Sequence, residues 1–306
     1  MKILINIKLI YRILSSAKFQ FPKPKRIDIL LYDQGTTFNK IVYGYFKKYK
    51  KSILYARFEQ LNIYVLLTIL VKLKFLNGLS LFQNYVIEYC KISKPKIIIS
   101  STLWDERILL LKEYIDFKFK IVLVQLFPLE KEYFKILNKK KYKIDYFFYF
   151  GKKSLKIIKE NFLANFLNIG SFKNNNEDVL KNKKKNKDVV LISCFKKRNY
   201  NEGPASVNIQ LKLNNLYEKR MLKILSQKLI KNSKFKVILK PNVLKKDYLE
   251  FMNCSKNIPI SNNGNAAYKA IDTSNVVITL IQSAMRDEAL SRGAKHLLIS
   301  REEKNY

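Results

Sequence analysis

The sequence predicts an α/β protein made of two consecutive halves, each built on a mostly parallel sheet. Three observations predict it. From about residue 25 onward, short apolar runs rich in β-formers alternate with stretches of helical spacing, the mark of βαβ units. The alternation breaks once, at the polar stretch NNNEDVLKNKKKNKD (174–188), and then restarts. With 306 residues and 48% apolar content the chain has ample material for one or two cores.

The elements follow in order. Residues 1–24 form a basic amphipathic segment. Ile3, Ile7, Ile10 and Leu14 fall near one helical face, with Lys2, Lys8, Arg12 and Lys18 around the other, and Pro22 and Pro24 close it. Such a helix suits an anionic membrane interface as well as it suits ordinary packing on a domain. RIDILLYD then reads as a strand, DQGTTF as a turn feeding a helix, and SILYARF as a second strand. Residues 61–75 and 81–92 read as helices, PKIIISST as a buried strand, and 103–114 as a helix. KIVLVQLF and DYFFYFG are strands, and KSLKIIKENF is a helix. Residues 25–173 thus make one domain, and 174–188 a charged linker. In 189–306, DVVLISCF is a strand, LYEKRMLKILSQKLIKN a helix from about Leu216, FKVILKPN a strand, and a helix surrounds Tyr248. A helix over 266–272, the strand NVVITLI, a helix from Met285 and the strand KHLLIS complete the chain. A ligand cleft is expected where the carboxyl ends of the two sheets face each other.

Composition limits the function classes. Lys and Arg total 59 against 24 Asp and Glu, a net charge of +35. Such a field suits a polyanionic partner, yet Lys, Ile, Asn, Phe and Tyr are jointly favoured by AT-rich codons, which accounts for much of the excess. The lysines are scattered, the one dense run (181–187) falls in the linker, and no nucleic-acid-binding signature is present, so nucleic acid is not the expected partner. Cys90, Cys194 and Cys254 have no metal spacing, and His296 is the only histidine, so a multi-histidine metal site is excluded. A general base would be Asp or Glu. No small-residue cleavage site follows the first apolar stretch, and no uncharged run reaches the length of a membrane span.

The stretch VVITLIQSAMRDEAL puts Gln282 and Ser283 at a strand end just before a helix. Free N–H groups and the helix dipole favour a phosphate at such a place. Glu288 follows one turn inside the helix, where a carboxylate accepts paired hydrogen bonds from a sugar diol. The plainer account makes Ser283 a helix cap, the acidic residues first-turn residues, and Arg292-Gly293 a helix end.

Three stretches carry a family resemblance: FYFGKKSLKIIKENFLANFLNIGSFKNN (148–175), VILKPN (237–242) and YKAIDTSNVVITLIQSAMRDEALSRGAKHLLIS (268–300). They resemble GT-B type glycosyltransferases, in particular bacterial surface-carbohydrate (polysaccharide) biosynthesis proteins of that superfamily. The resemblance implies two Rossmann-like domains facing a cleft, with the acceptor in 25–173 and a nucleotide-sugar donor in 189–306. It implies that Ser283, beside Gln282, begins a phosphate-side loop, that Glu288 contacts the donor ribose, and that Lys240 lies near the donor. Arg286 stands where the family usually has a small residue, often Gly. Its guanidinium either pairs with the diphosphate or obstructs the site. The chain stops at Tyr306, just past a strand, where such proteins commonly continue with helices, which leaves a short member or a truncated second domain open.

For an inverting transfer the base candidates are Asp33, in a Gly-containing loop at a strand end, and then Asp105 and Glu106 past the SSTLW strand. Each also fits an ordinary turn or capping role. No metal is called for and no cofactor, since the nucleotide-sugar is a substrate. The expected function is glycosyl transfer to a surface polysaccharide or lipid-linked acceptor, in the cytoplasm or peripherally at the inner membrane face. A nucleotide-sugar epimerase of the same fold, an inactive relative and a basic nucleic-acid-binding protein are the alternatives.

Overall fold

The computed structural model describes residues 17–33, 36–57, 59–74, 77–126, 129, 131–134, 137, 141–175, 186–196, 205–229, 235–240, 243–253, 258–262, 266–280 and 285–299. The chain divides into two compact units, Met1–Asn176 and Glu177–Tyr306.

In the first unit, a short strand β1 (Lys18–Gln20) precedes β2 (Ile29–Asp33), α1 (Thr36–Tyr45), β3 (Lys51–Tyr55), β4 (Gln60–Asn62), α2 (Ile63–Val71) and α3 (Leu81–Ser93). There follow β5 (Ile97–Ser100), α4 (Glu106–Leu109), α5 (Leu111–Tyr114), β6 (Lys120–Val124), β7 (Tyr142–Tyr149), α6 (Lys152–Asn161), β8 (Phe162–Asn168) and α7 (Phe172–Asn175). Six strands pair in the order β3-β2-β5-β6-β7-β8, all parallel. A parallel sheet is covered on both faces, which is why ILLY, IIIS and IVLV are apolar without alternation. Leu30, Tyr32, Ile98, Ile121, Leu123 and Phe147 belong to one buried cluster, and Ile29, Leu31, Ile99 and Val124 to another with Phe38 and Val42 of α1. Chain order reverses between β2 and β5, and a ligand crevice forms at the carboxyl ends of strands that part in this way.

The second unit contains β9 (Asn186–Ile192), α8 (Ala205–Leu229), β10 (Phe235–Ile238), α9 (Lys245–Met252), β11 (Ile260–Ser261), α10 (Ala266–Thr273), β12 (Ser274–Leu280), α11 (Met285–Ser291) and β13 (Lys295–Ile299). Its sheet runs β11-β10-β9-β12-β13, again all parallel, with the reversal between β9 and β12. Clusters around Leu191, Val237 and Tyr248 and around Val190, Ile271 and Val277 line its two faces.

The structure departs from the periodicity reading at five places. Lys18–Gln20 is a strand rather than the end of a helix, because it finds a parallel partner in β4. Residues 61–62 belong to that partner, and the Asn62 side chain caps α2 by accepting from the Val65 N–H at 3.2 Å. The helix expected over 103–114 starts only after Asp105, its cap, and breaks at Leu110. Strand β8 follows α6 with no turn residue between them, so its weak alternation of Phe162, Ala164 and Phe166 is hidden behind the helix. Helix α8 begins at Ala205, well before Leu216.

At the β7–α6 junction the motif Phe150-Gly151-Lys152 has a backbone reason. Gly151 sits at φ 84° and ψ 148°, a region that only glycine enters without strain. Gln125, fully buried at the end of β6, accepts from the Phe150 N–H at 3.1 Å and donates to Ser154 Oγ at 2.9 Å, tying α6 to the sheet edge.

Candidate functional site

Each unit gathers polar side chains at the carboxyl edge of its sheet, where the chain order reverses. In the first unit Tyr32 and Ser100 are register partners near the ends of β2 and β5. Ser100 Oγ accepts from the Thr102 N–H at 3.0 Å and shapes the loop into α4. At the end of that loop Asp105 is buried. Its Oδ1 takes the Arg107 N–H at 3.0 Å and Nε at 2.8 Å; its Oδ2 takes Tyr32 Oη at 2.6 Å and Arg107 Nη2 at 2.5 Å. Arg107 also donates to the Ala56 carbonyl at 3.0 Å, past the end of β3. Burial, then the neighbouring Asp105 charge, pushes the Tyr32 hydroxyl far above its ordinary range, so it stays a proton donor. Glu106 accepts from Tyr142 Oη across to β7. Asp33 closes β2 opposite Tyr55 of β3; its side chain and the following Gln34-Gly35 lie outside the described residues.

In the second unit the loop after β9 is held from below by a glutamate. Glu218, on α8, has no exposed surface. Its Oε1 accepts from Ser193 Oγ and, at 3.0 Å, from Tyr248 Oη, while its Oε2 accepts from the Cys194 N–H at 2.9 Å. Ser193 Oγ in turn accepts from the Phe195 N–H at 3.0 Å. Lys240, just past β10, reaches the Cys194 carbonyl at 3.4 Å. Asn215, one turn before Glu218, donates to the Lys196 carbonyl at 3.2 Å. Residues 193–196 are thus pinned at several backbone groups. Burial pushes the Glu218 carboxyl up, against three hydrogen bonds and the Lys240 charge that favour the ionised form.

On the other side of the β9/β12 reversal, Gln282 and Ser283 lie outside the described residues. Arg286 is half-buried on α11, and Glu288 is buried there, its Oε2 taken by Tyr268 Oη at 2.6 Å. The Tyr268 ring also lies 5.2 Å from the Arg292 guanidinium. Arg292 Nε and Nη2 each bond Asp272 at 2.7 Å, a bidentate pair whose two side chains are almost wholly buried. Glu288 therefore belongs to a chain of groups that locks α10 to α11. His296 pairs with Thr279 at 2.8 Å between β13 and β12. Among the described residues no cluster of three or more His, Cys, Asp or Glu is placed to hold a metal ion.

Of the residues singled out in the sequence, Asp105 and Glu106 adjoin the β2/β5 reversal and Lys240 adjoins the loop after β9. Glu218, Tyr248, Tyr32 and Arg107 went unmarked. A readable signal existed for Glu218: Asn215, Glu218 and Leu222 share one helical face, so a carboxylate stands in a buried stripe. Nothing local marks Tyr32, which meets Asp105 across 73 residues of chain.

Two solved structures are distantly similar to this chain. One is the wall teichoic acid polymerase TagF, 11% identical, covering 89% of this chain and 69% of that one with a TM-score of 0.46. The other is a glycotransferase of kitacinnamycin, 10% identical, covering 92% and 82% with a TM-score of 0.45. Both likenesses are distant. A search of curated proteins found no match. A family model described as "putative O-antigen biosynthesis protein" matches residues 128–305, from the approach to β7 through β13. The match takes in more than half of the chain, and this protein belongs to that family of O-antigen biosynthesis proteins.

Proposed function

We propose that the protein is a glycosyltransferase that moves a sugar from a nucleotide-sugar donor to a surface polysaccharide or lipid-linked acceptor. Membership of an O-antigen biosynthesis family supports the substrate class, since O-antigen is a surface polysaccharide. The observation that carries the reading is the carboxyl edge of the second sheet. There a backbone loop, 193–196, is held rigid by the buried Glu218, and the Lys240 ammonium reaches that same loop. A rigid strand-end loop and a cation beside a chain reversal suit a diphosphate leaving group, which needs charge stabilisation as the glycosidic bond breaks.

In this reading Gln282, Ser283 and Arg286 face the diphosphate, and Glu288 receives the ribose diol once Tyr268 yields its hydrogen bond. In the first unit Asp33 is the base that takes the acceptor proton. Both oxygens of Asp105 are already engaged by Arg107 and Tyr32, which suits orientation of the edge better than proton transfer.

The test is a thermal-shift titration with UDP-, GDP-, CDP- and CMP-linked sugars, with Glu288→Ala and Lys240→Ala alongside. One nucleotide class is expected to raise the Tm of the parent protein and to lose about 10-fold or more in affinity in either variant. A shift that ignores the base and persists in both variants would mark general anion binding and sink the proposal.

A further inference from the structure

Helix α2 has the sequence IYVLLTILV, with no charged residue on any face. A surface helix ordinarily turns a polar face to water, and one that is apolar all round is ordinarily buried. Here only Val65 and Ile69 are buried. Leu67 and Leu70 are each 54% exposed and Val71 is 82% exposed. Tyr64, Leu67, Thr68 and Val71 are spaced i, i+3, i+4, i+7 and form one outward stripe. Leu73, left-handed at φ 48°, extends it past the helix end. At the other end the chain beside β4 adds Phe21, 73% exposed; it is held close by Asn62 Nδ2 donating to the Pro22 carbonyl at 2.8 Å.

Along this stripe runs a groove of ≈ 490 Å³ lined by Tyr64 and Thr68 and by Lys23, Arg26, Lys72, Lys91 and Lys94. The one carboxylate in it, Glu88, is buried and paired with both Lys72 and Lys74. Lys23 Nζ lies 5.6 Å from the Tyr64 ring centroid, at the border between the apolar stripe and its basic flank.

We infer that this face docks on an anionic lipid bilayer, with Leu67, Leu70, Val71 and Phe21 entering the acyl boundary and the groove's cations meeting headgroup phosphates. An apolar stripe beside a basic flank is the pattern of an interfacial element that lies in the plane of the membrane. Among the described residues no helix is long and apolar enough to cross a membrane, which fits a surface that rests on it. Charge separates this occupant from its rivals. A second copy packed over the same face by a two-fold axis would bring two basic grooves together. The segment 1–16 carries Lys2, Lys8 and Arg12, the same sign as the groove. The inference does not depend on the transfer reaction proposed above.

The experiment is vesicle co-sedimentation of the full chain, with neutral vesicles against vesicles of about one-third anionic phospholipid. The parent protein is expected to bind the anionic vesicles, less at high salt. Leu67→Glu/Val71→Glu is expected to lower the bound fraction about 10-fold, and Lys23→Glu/Lys91→Glu to do so at low salt. Leu67, Val71 and Lys23 are exposed and Lys91 is half-buried at the groove, so the variants should keep the parent Tm and any nucleotide-sugar shift. Equal binding by the parent protein and both variants overturns the inference. It is equally overturned if Ile3→Glu/Ile7→Glu abolishes binding while the α2 variant binds as before. A concentration-dependent dimer lost in Leu67→Glu/Val71→Glu would assign the face to a second copy instead.

Discussion

Glu218 shows how one residue organises a strand-end loop. Its carboxyl is raised by burial above the ordinary glutamate value of 4.5. Between the ordinary and the raised value the folded state therefore holds more protons than the unfolded one. Stability consequently falls as pH rises through that window. Glu218→Gln removes the titration and keeps the contacts. Its amide oxygen can take the Cys194 N–H, and its NH₂ can donate to Ser193 Oγ and Tyr248 Oη once their hydroxyls rotate. We expect this variant to lose less stability than the parent protein as pH is raised through that window. Glu218→Ala removes the acceptor of the half-buried Cys194 N–H and of the buried Ser193 and Tyr248 hydroxyl bonds and should cost about 1–3 kcal/mol at every pH, before any cavity is counted. Urea denaturation across that range measures both; identical pH slopes for the parent and the Gln variant would show that Glu218 does not titrate there.

At the level of elements, α10 and α11 cannot be exchanged for generic amphipathic helices. The Asp272–Arg292 pair joins the last turn of one to the residue after the other, with almost no exposed surface on either side chain. Removing one partner leaves a buried charge alone, so Asp272→Ala or Arg292→Ala should each cost about 3–5 kcal/mol. The double change Asp272→Leu/Arg292→Met should recover much of that loss, because an apolar pair of similar volume has no desolvation penalty. Chemical denaturation midpoints of the three variants test this; additive losses in the double variant would contradict it. The Arg-Gly sequence, read locally, announces only a helix end. Gly293 does sit at φ 70°, as such an end requires, but the arginine's partner lies a helix and a strand away.

For the whole molecule, net charge and fold make separate contributions. The surplus of +35 is distributed over the chain, so weak binding to any polyanion is expected, with no sequence preference. Affinity for duplex DNA should be measurable near 50 mM salt and lost by about 200 mM, as counterion release requires. Retention of tight, sequence-selective binding at physiological salt in a filter or anisotropy assay would reopen the nucleic-acid reading. The α/β class, nine of the thirteen strands and the regions of most helices among the described residues were legible in the sequence, because apolar runs and helical spacing are local properties that burial on two faces of a parallel sheet imposes. The family was legible too, through short motifs such as Phe-Gly-Lys, whose glycine answers to a backbone angle. What only the tertiary structure decided is which charges are used up and which apolar faces are left bare. Asp105 was readable as a strand-end carboxylate, but its engagement by Tyr32 depends on β2 and β5 being neighbours. Helix α2 was readable as apolar, but its exposure depends on what the fold packs against it. Partners distant in sequence are chosen by topology, and a single sequence carries no local trace of that choice.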